Sequence, residues 1–249
     1  DLQNTKEVEK NIELLKQENT FTITTGHQLN IATGPLFFVY KIISAINSCK
    51  ELKNKYPQYN FVPVYWMASE DHDYEEIKSF SLFGKTHSWE TEQTGAVGRF
   101  SLDSIQSMLD ELNEPIPTLE HYTSSENLAE ATLKIVHELF GNEGLVILDA
   151  DNSALKKLFF PYAKNEIEEN TSFNAVNSSN TELEKNGYKS QAFPREINLF
   201  HLEEKSRNRI IKDGSSFSTT EGKKLDIDQL KKHPEQISPN VILRPLYQE

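Results

Sequence analysis

Apolar positions along the chain switch between a period of two and a period near 3.6, and each switch marks an element. Residues 2 to about 17 scatter apolar positions among Glu and Lys, which predicts an exposed helix. Residues 21–25, "FTITT", are β-branched and aromatic and predict a short buried strand. From Gly34, apolar residues at 36, 39, 40, 43, 46, 49 and 52 predict a helix to about Lys55. Thr33 or Gly34 can cap it, and Pro35 suits its first turn. "FVPVYWMA", 61–68, is continuously apolar, as expected for a strand buried on both faces of a parallel sheet. Strand, helix and strand make a βαβ unit.

"EIKSFSLFGKTHSWE" then predicts a hairpin, residues 125–140 a helix, and "LVILDA", 145–150, a third buried strand. Residues 153–186 read as helical with polar breaks. "REINLFHLEE" and "NRIIKDGSSFS" alternate around Lys205-Ser206-Arg207 and predict a β-hairpin. Asp226–His233 predicts a short helix and "NVILRPL" a fourth strand of the parallel sheet. The whole is α/β: a parallel-sheet core over 1–186, a β-rich insertion over 187–222, and a return to the core over 223–249.

Composition narrows the function. The 249 residues carry 38 Asp and Glu against 26 Lys and Arg, a net charge of −12, which argues against a nucleic-acid footprint. No apolar run reaches the ~18 residues of a membrane span, and no signal peptide is read, so a cytoplasmic location is expected. The one cysteine, Cys49, excludes an intrachain disulfide and a Cys-rich zinc site, and it falls in a helical apolar pattern. The chain opens on Asp1 and stops within an apolar, structured-looking segment, so a piece of a longer protein is expected.

Three stretches carry candidate chemistry. "TTGHQLNIATGP" follows the first strand. In an open α/β sheet, ligands bind beyond the carboxyl ends of the strands, where a helix start attracts anions. Gly26 can turn the backbone, Gly34 can admit a ligand, and His27 and Gln28 can bond phosphate oxygens. "SEDHDYEE", 69–76, follows the second strand. Glu70, Asp71, His72 and Asp73 crowd titratable groups suited to a general base, or to a divalent cation. "SPNVILRPLYQE" places Arg244 after an apolar run, where it can grip a phosphate or carboxylate, with Asn240 and Ser238 as further donors. Arg195, Asn198 and His201 are secondary candidates. If their strand is regular, Arg195 and His201 share a face and Asn198 lies on the other. His87, His121, His137 and His233 read as surface or helix-packing residues.

"TTGHQLNIATGPLFFVYKIISAI", "VPVYWMASEDHDYEEI", "FPREINLF" and "SPNVILRPLYQE" together resemble the bacillithiol biosynthesis cysteine-adding enzyme family, a family of cysteine ligases. The resemblance implies a Rossmann-like core related to class I synthetases and nucleotidyltransferases, with connecting insertions and a dimerising coiled coil in the full-length protein. It implies small-molecule substrates, L-cysteine and glucosaminyl-malate, with ATP as the activating nucleotide and no assigned metal. Gly26, His27 and Gln28 would stand where related synthetases keep their HIGH motif; for a ligase reaction, Asp73 or His72 is the expected base for the attacking amine. No literal HIGH, KMSKS-like loop or zinc-binding cysteine set is present. A metal-dependent hydrolase built on residues 70–76 and a non-catalytic binding module are the alternative readings.

Overall fold

The computed structural model describes residues 2–112, 116–214 and 216–249. They form two compact units, Asp1–Ala150 and Asp151–Glu249.

In the first unit, helix α1 (Lys6–Leu14) starts at Thr5, whose hydroxyl accepts from the Val8 amide at 3.4 Å. Strand β1 (Thr20–His27) leads to helix α2 (Phe37–Lys55) and strand β2 (Asn60–Met67). Helix α3 (Tyr74–Ile77), the hairpin β3 (Ser79–Leu82) and β4 (Lys85–Ser88), helix α4 (Gln106–Leu109), helix α5 (Leu128–Phe140) and strand β5 (Val146–Asp149) follow. The sheet order is β1-β2-β5, parallel throughout, with Gly26 opposite Trp66, and His27 and Asp149 each paired with Met67. Residues 62–67 are buried, which explains the unbroken apolar run of β2. Tyr65, Met67, Trp89, Ile105, Met108 and Leu128 fill the main core, and each fully buried side chain of this size contributes about 1.5–3 kcal/mol.

The second unit opens with helix α6 (Ser153–Glu169), capped by Asn152. Asn170, at φ 52°, ends α6 and starts helix α7 (Thr171–Lys185). Asparagine is among the few residues other than glycine that enter the left-handed region readily. Strands β6 (Leu199–Leu202), β7 (Arg207–Asp213), β8 (Ser216–Thr219) and β9 (Lys224–Leu225), helix α8 (Ile227–Lys232), strand β10 (Ile237–Pro239) and helix α9 (Arg244–Gln248) complete it. The sheet order is β10-β6-β7-β8-β9, and every neighbouring pair is antiparallel.

Several expectations are corrected. Gly26 does not turn the chain: β1 runs on through Gly26 to His27, because both residues pair with β2. The turn falls later, at Ala32, Thr33 and Gly34, all with positive φ. Neither Thr33 nor Gly34 caps α2, which begins after Leu36 with no side-chain cap. The buried stripe of α2 is Phe38, Ile42, Ala45, Ile46 and Cys49, while Leu36 and Tyr40 face solvent. "NVILRPL" is not a strand of the parallel sheet. β10 stops at Pro239 and pairs with β6, and Arg244 opens α9. Residues 237–239 thus join the antiparallel sheet, and the units divide at 150/151 where sequence suggested 186/187. Arg195 and Asn198 precede β6, so strand alternation does not orient them.

Candidate functional site

The parallel sheet ends at His27, Met67 and Asp149, so the chain just beyond these residues forms one edge. Open α/β sheets bind ligands at this edge. Parallel pairing, and not any local motif, sets these positions side by side.

His27 is half-buried, with its ring 5.0 Å from Phe37 and 5.2 Å from Phe38, edge to face with both. Its Nδ1 lies 2.8 Å from the side-chain nitrogen of Asn30 and 3.1 Å from the carbonyl of Gln28. A neutral ring accepts from Asn30 at Nδ1, which leaves the proton on Nε2. A protonated ring donates from Nδ1 to the Gln28 carbonyl. Burial pulls the His27 pKa below its ordinary value; the Gln28 carbonyl opposes this, and the charge of Lys41 adds to it. Burial also lowers the pKa of Lys41, whose Nζ donates to the Gly26 carbonyl at 2.5 Å. The Gln28 side chain donates to Glu76 Oε2 at 2.8 Å. This ties the end of β1 to α3.

The loop after β2 is built by its backbone. The Ala68 amide donates to the His27 carbonyl at 3.0 Å and the Asp71 amide to the Ala68 carbonyl at 3.2 Å. Amides from a second loop close on it: Val97 N–H on the Asp71 carbonyl at 2.7 Å and Gly98 N–H on the Ser69 carbonyl at 2.8 Å. Gly98 is required for this approach, since a Cβ there would sit 2.6 Å from Ser69 Cβ and 2.8 Å from its carbonyl oxygen. Ser69 Oγ donates to Asp149 Oδ1, joining the ends of β2 and β5. Burial, with Asp149 nearby, pushes the Tyr65 phenol far above its ordinary range, so it stays protonated. Its hydroxyl donates to the His27 carbonyl at 3.4 Å.

The four titratable residues of the acidic loop do not behave as one cluster. Glu70 is 2% exposed, Asp71 is half-buried, and His72 and Asp73 are exposed. Asp71 Oδ1 accepts from the His72 amide at 2.7 Å. Among the described residues, no three His, Cys, Asp or Glu side chains converge as a metal site would need. No helix among them is long and apolar enough to cross a membrane.

The remaining predicted residues belong to the second unit. Asn240 Nδ2 donates to Asn198 Oδ1 at 2.9 Å, and Asn240 Oδ1 accepts from the Ile242 and Leu243 amides at 2.9 and 3.2 Å. It is the turn residue that leads into Arg244. Asn198 is fully buried and donates to Glu166 Oε1 at 2.9 Å. Ser172 gives the Glu166 carboxylate two more bonds, from its amide at 2.8 Å and its hydroxyl at 2.6 Å. A buried carboxylate costs several kcal/mol unless bonded in this way, so Asn198 has a structural role. His201 is buried in β6, and burial lowers its pKa.

Sequence reasoning missed Asn30, Lys41, Ser69 and Asp149. Asp149 was within reach, as the polar residue closing the third apolar strand. Asn30, Lys41 and Ser69 act through bonds that exist only once the loops fold.

The whole chain, residues 1–249, matches the family described as bacillithiol biosynthesis BshC, N-terminal Rossmann-like domain. It is 50% identical over 256 residues to a protein of Flavobacterium johnsoniae named "Putative cysteine ligase BshC", covering 96% of this chain and 48% of that protein. A protein of the same name from Cytophaga hutchinsonii is 46% identical over 258 residues, covering 100% and 49%. A third, from Flavobacterium psychrophilum, is 50% identical over 261 residues, covering 97% and 48%. The chain spans about half the length of these curated relatives. The parallel sheet, its furnished carboxyl edge and this match together place the chain in the BshC family, over the family's N-terminal Rossmann-like domain.

Proposed function

We propose that the protein acts as a cysteine ligase in bacillithiol biosynthesis, joining the carboxyl of L-cysteine to the amine of glucosaminyl-malate as an amide. The observation that carries this reading is identity of 46–50% along 96–100% of the chain to proteins named cysteine ligases. The site at the carboxyl edge of the sheet suits the chemistry.

A free carboxylate is a poor electrophile, and ATP, when bound, would supply a phosphate or adenylate leaving group. The donor set fits such a nucleotide. His27 and Lys41 bring nitrogen donors to the end of β1, and the exposed Leu36, Phe37 and Tyr40 offer apolar surface at the start of α2 for a base. Held by Asn30, His27 presents Nε2–H toward charge that develops on oxygen. Tyr65 and the Ala68 amide hold the His27 carbonyl and fix the backbone from which the ring projects. Asp73 or His72, exposed at the start of α3, takes the proton from the attacking amine. Orientation of both substrates supplies much of the rest of the rate.

The test is product formation by the full-length protein from cysteine, glucosaminyl-malate and ATP, with His27→Ala and Asp73→Asn alongside. Loss of at least about 100-fold in each variant supports the assigned roles. Wild-type rates in either variant remove that residue from the scheme, and no product from the wild-type protein removes the ligase reading.

A further inference from the structure

The second unit contains a cleft of about 630 Å³ whose charge runs against that of the whole chain. Arg195, Arg207, Arg209 and Arg244 line it, with Phe200 and Asn240, and among the described residues no acidic one lines it. The chain as a whole carries a net charge of −12, so four arginines in one concavity are a local reversal.

The four come from three segments fixed to one scaffold. Arg207 is 8% exposed and donates to Ser238 Oγ and to the Pro239 carbonyl, each at 3.1 Å. Its guanidinium lies 3.9 Å from the centre of the Phe200 ring, and that of Arg209 lies 6.0 Å from the same ring. Arg207 and Arg209 are two apart on β7 and so project from one face of the strand. The Arg195 amide donates to Asn198 Oδ1 at 3.0 Å, the atom that also accepts from Asn240. The Arg244 amide donates to the Asn240 carbonyl at 2.9 Å. Asn198 thus binds the Arg195 loop to the Arg244 turn, and Ser238 and Pro239 bind that turn to Arg207. Among the described residues, no carboxylate pairs with Arg195, Arg209 or Arg244.

Arginine is always charged, and its planar fork matches carboxylate and phosphate oxygens. Arg207 spends donors on Ser238 and Pro239, and the three further arginines that line the same cleft still offer more fork donors than a single monoanion can occupy. We propose that this cleft binds a small ligand carrying at least two oxyanion charges, as a dicarboxylate or a diphosphate does. Arg207 forms the fixed floor, and Arg195, Arg209 and Arg244 close on the charged groups. This assignment stands on the second unit alone and does not rest on the ligase reading.

The experiment is calorimetric titration of the full-length protein with L-malate, inorganic pyrophosphate and, as a monoanion control, L-lactate. It is repeated at low and high salt and with Arg195→Gln, Arg209→Gln and the double variant. Both positions are exposed, so the variants should keep the fold, which thermal unfolding verifies. Saturable binding of malate or pyrophosphate, weakened by salt and by about tenfold or more per arginine removed, supports the proposal. Malate alone identifies a dicarboxylate ligand, and pyrophosphate alone a phosphorylated one. Lactate binding as tightly as malate, affinity unchanged in the double variant, or no saturable binding of either dianion overturns it. Failure here leaves product formation by the edge residues of the first unit untouched, so the two readings fail separately.

Discussion

Asn30 holds His27: its side-chain nitrogen lies 2.8 Å from Nδ1 of the ring, His27 being the last residue of β1 and Asn30 three residues further on. In the neutral ring with its proton on Nε2, Asn30 donates to Nδ1 and the Nε2–H is left for a ligand. Asn30 is a positioning residue and His27 the group presented to the ligand. Asn30→Asp should raise the His27 pKa by placing a negative charge at the same distance, and the NMR titration of the ring should move to higher pH. The pH–rate profile of product formation should move with it. A titration that stays put would show that Asn30 does not govern this ring.

His27 should also make the protein acid-sensitive. Its pKa is lowered in the folded state by burial, so the unfolded chain takes up the proton first as pH falls. The stability it contributes is full above the ordinary histidine pKa of ~6.5 and is lost as pH falls from there through the folded value. His137 and His201 are lowered by burial too and add to the same window. Denaturant unfolding from pH 7.5 downward should show a decline that is shallower in His27→Gln. An identical slope in wild type and variant would contradict the assigned shift.

Gly98→Ala should damage the site without removing any of its polar groups. The added methyl meets Ser69 Cβ, Cα and carbonyl oxygen at 2.6–3.0 Å, and two of these are backbone atoms. Overpacking of this kind costs about 1–3 kcal/mol. At about 2–4 °C per kcal/mol, melting should fall by several degrees. An unchanged melting temperature would mean that the Ser69 loop shifts freely.

Asn198→Ala should loosen the second unit. It removes donors to Glu166 and to the Arg195 carbonyl, and the acceptor used by Arg195 and Asn240. An under-bonded buried carboxylate makes a loss of about 2–4 kcal/mol the expected outcome. Hydrogen exchange should quicken at 195–198 and 240–244 and stay unchanged in β1 and β2. Uniform exchange rates across 195–244 would count against Asn198 as the tie.

By itself the sequence determined most of the elements and the family. The short, unbroken, β-branched apolar runs of β2 and β5 marked buried strands and period 3.6 marked α2, because burial imposes these spacings on a chain. The hairpin of β3 and β4 was legible in "EIKSFSLFGKTHSWE", and the residues 153–186 read as helical with polar breaks are the two helices α6 and α7. Tertiary structure decided which candidates meet. Gly26 looked like a turn because glycine usually marks one, yet pairing with Trp66 kept it in the strand. Arg244 looked like a residue of the parallel sheet, yet antiparallel pairing of Pro239 with Leu199 drew its segment into the other unit. There it joined Arg195, Arg207 and Arg209 around one cleft. The hold of Asn30 on His27, the link of Ser69 to Asp149 and the four-arginine cleft all depend on pairing register and loop closure. Those contacts join residues 3 to 80 positions apart, and no local pattern encodes which of many polar residues will face one another once the backbone closes.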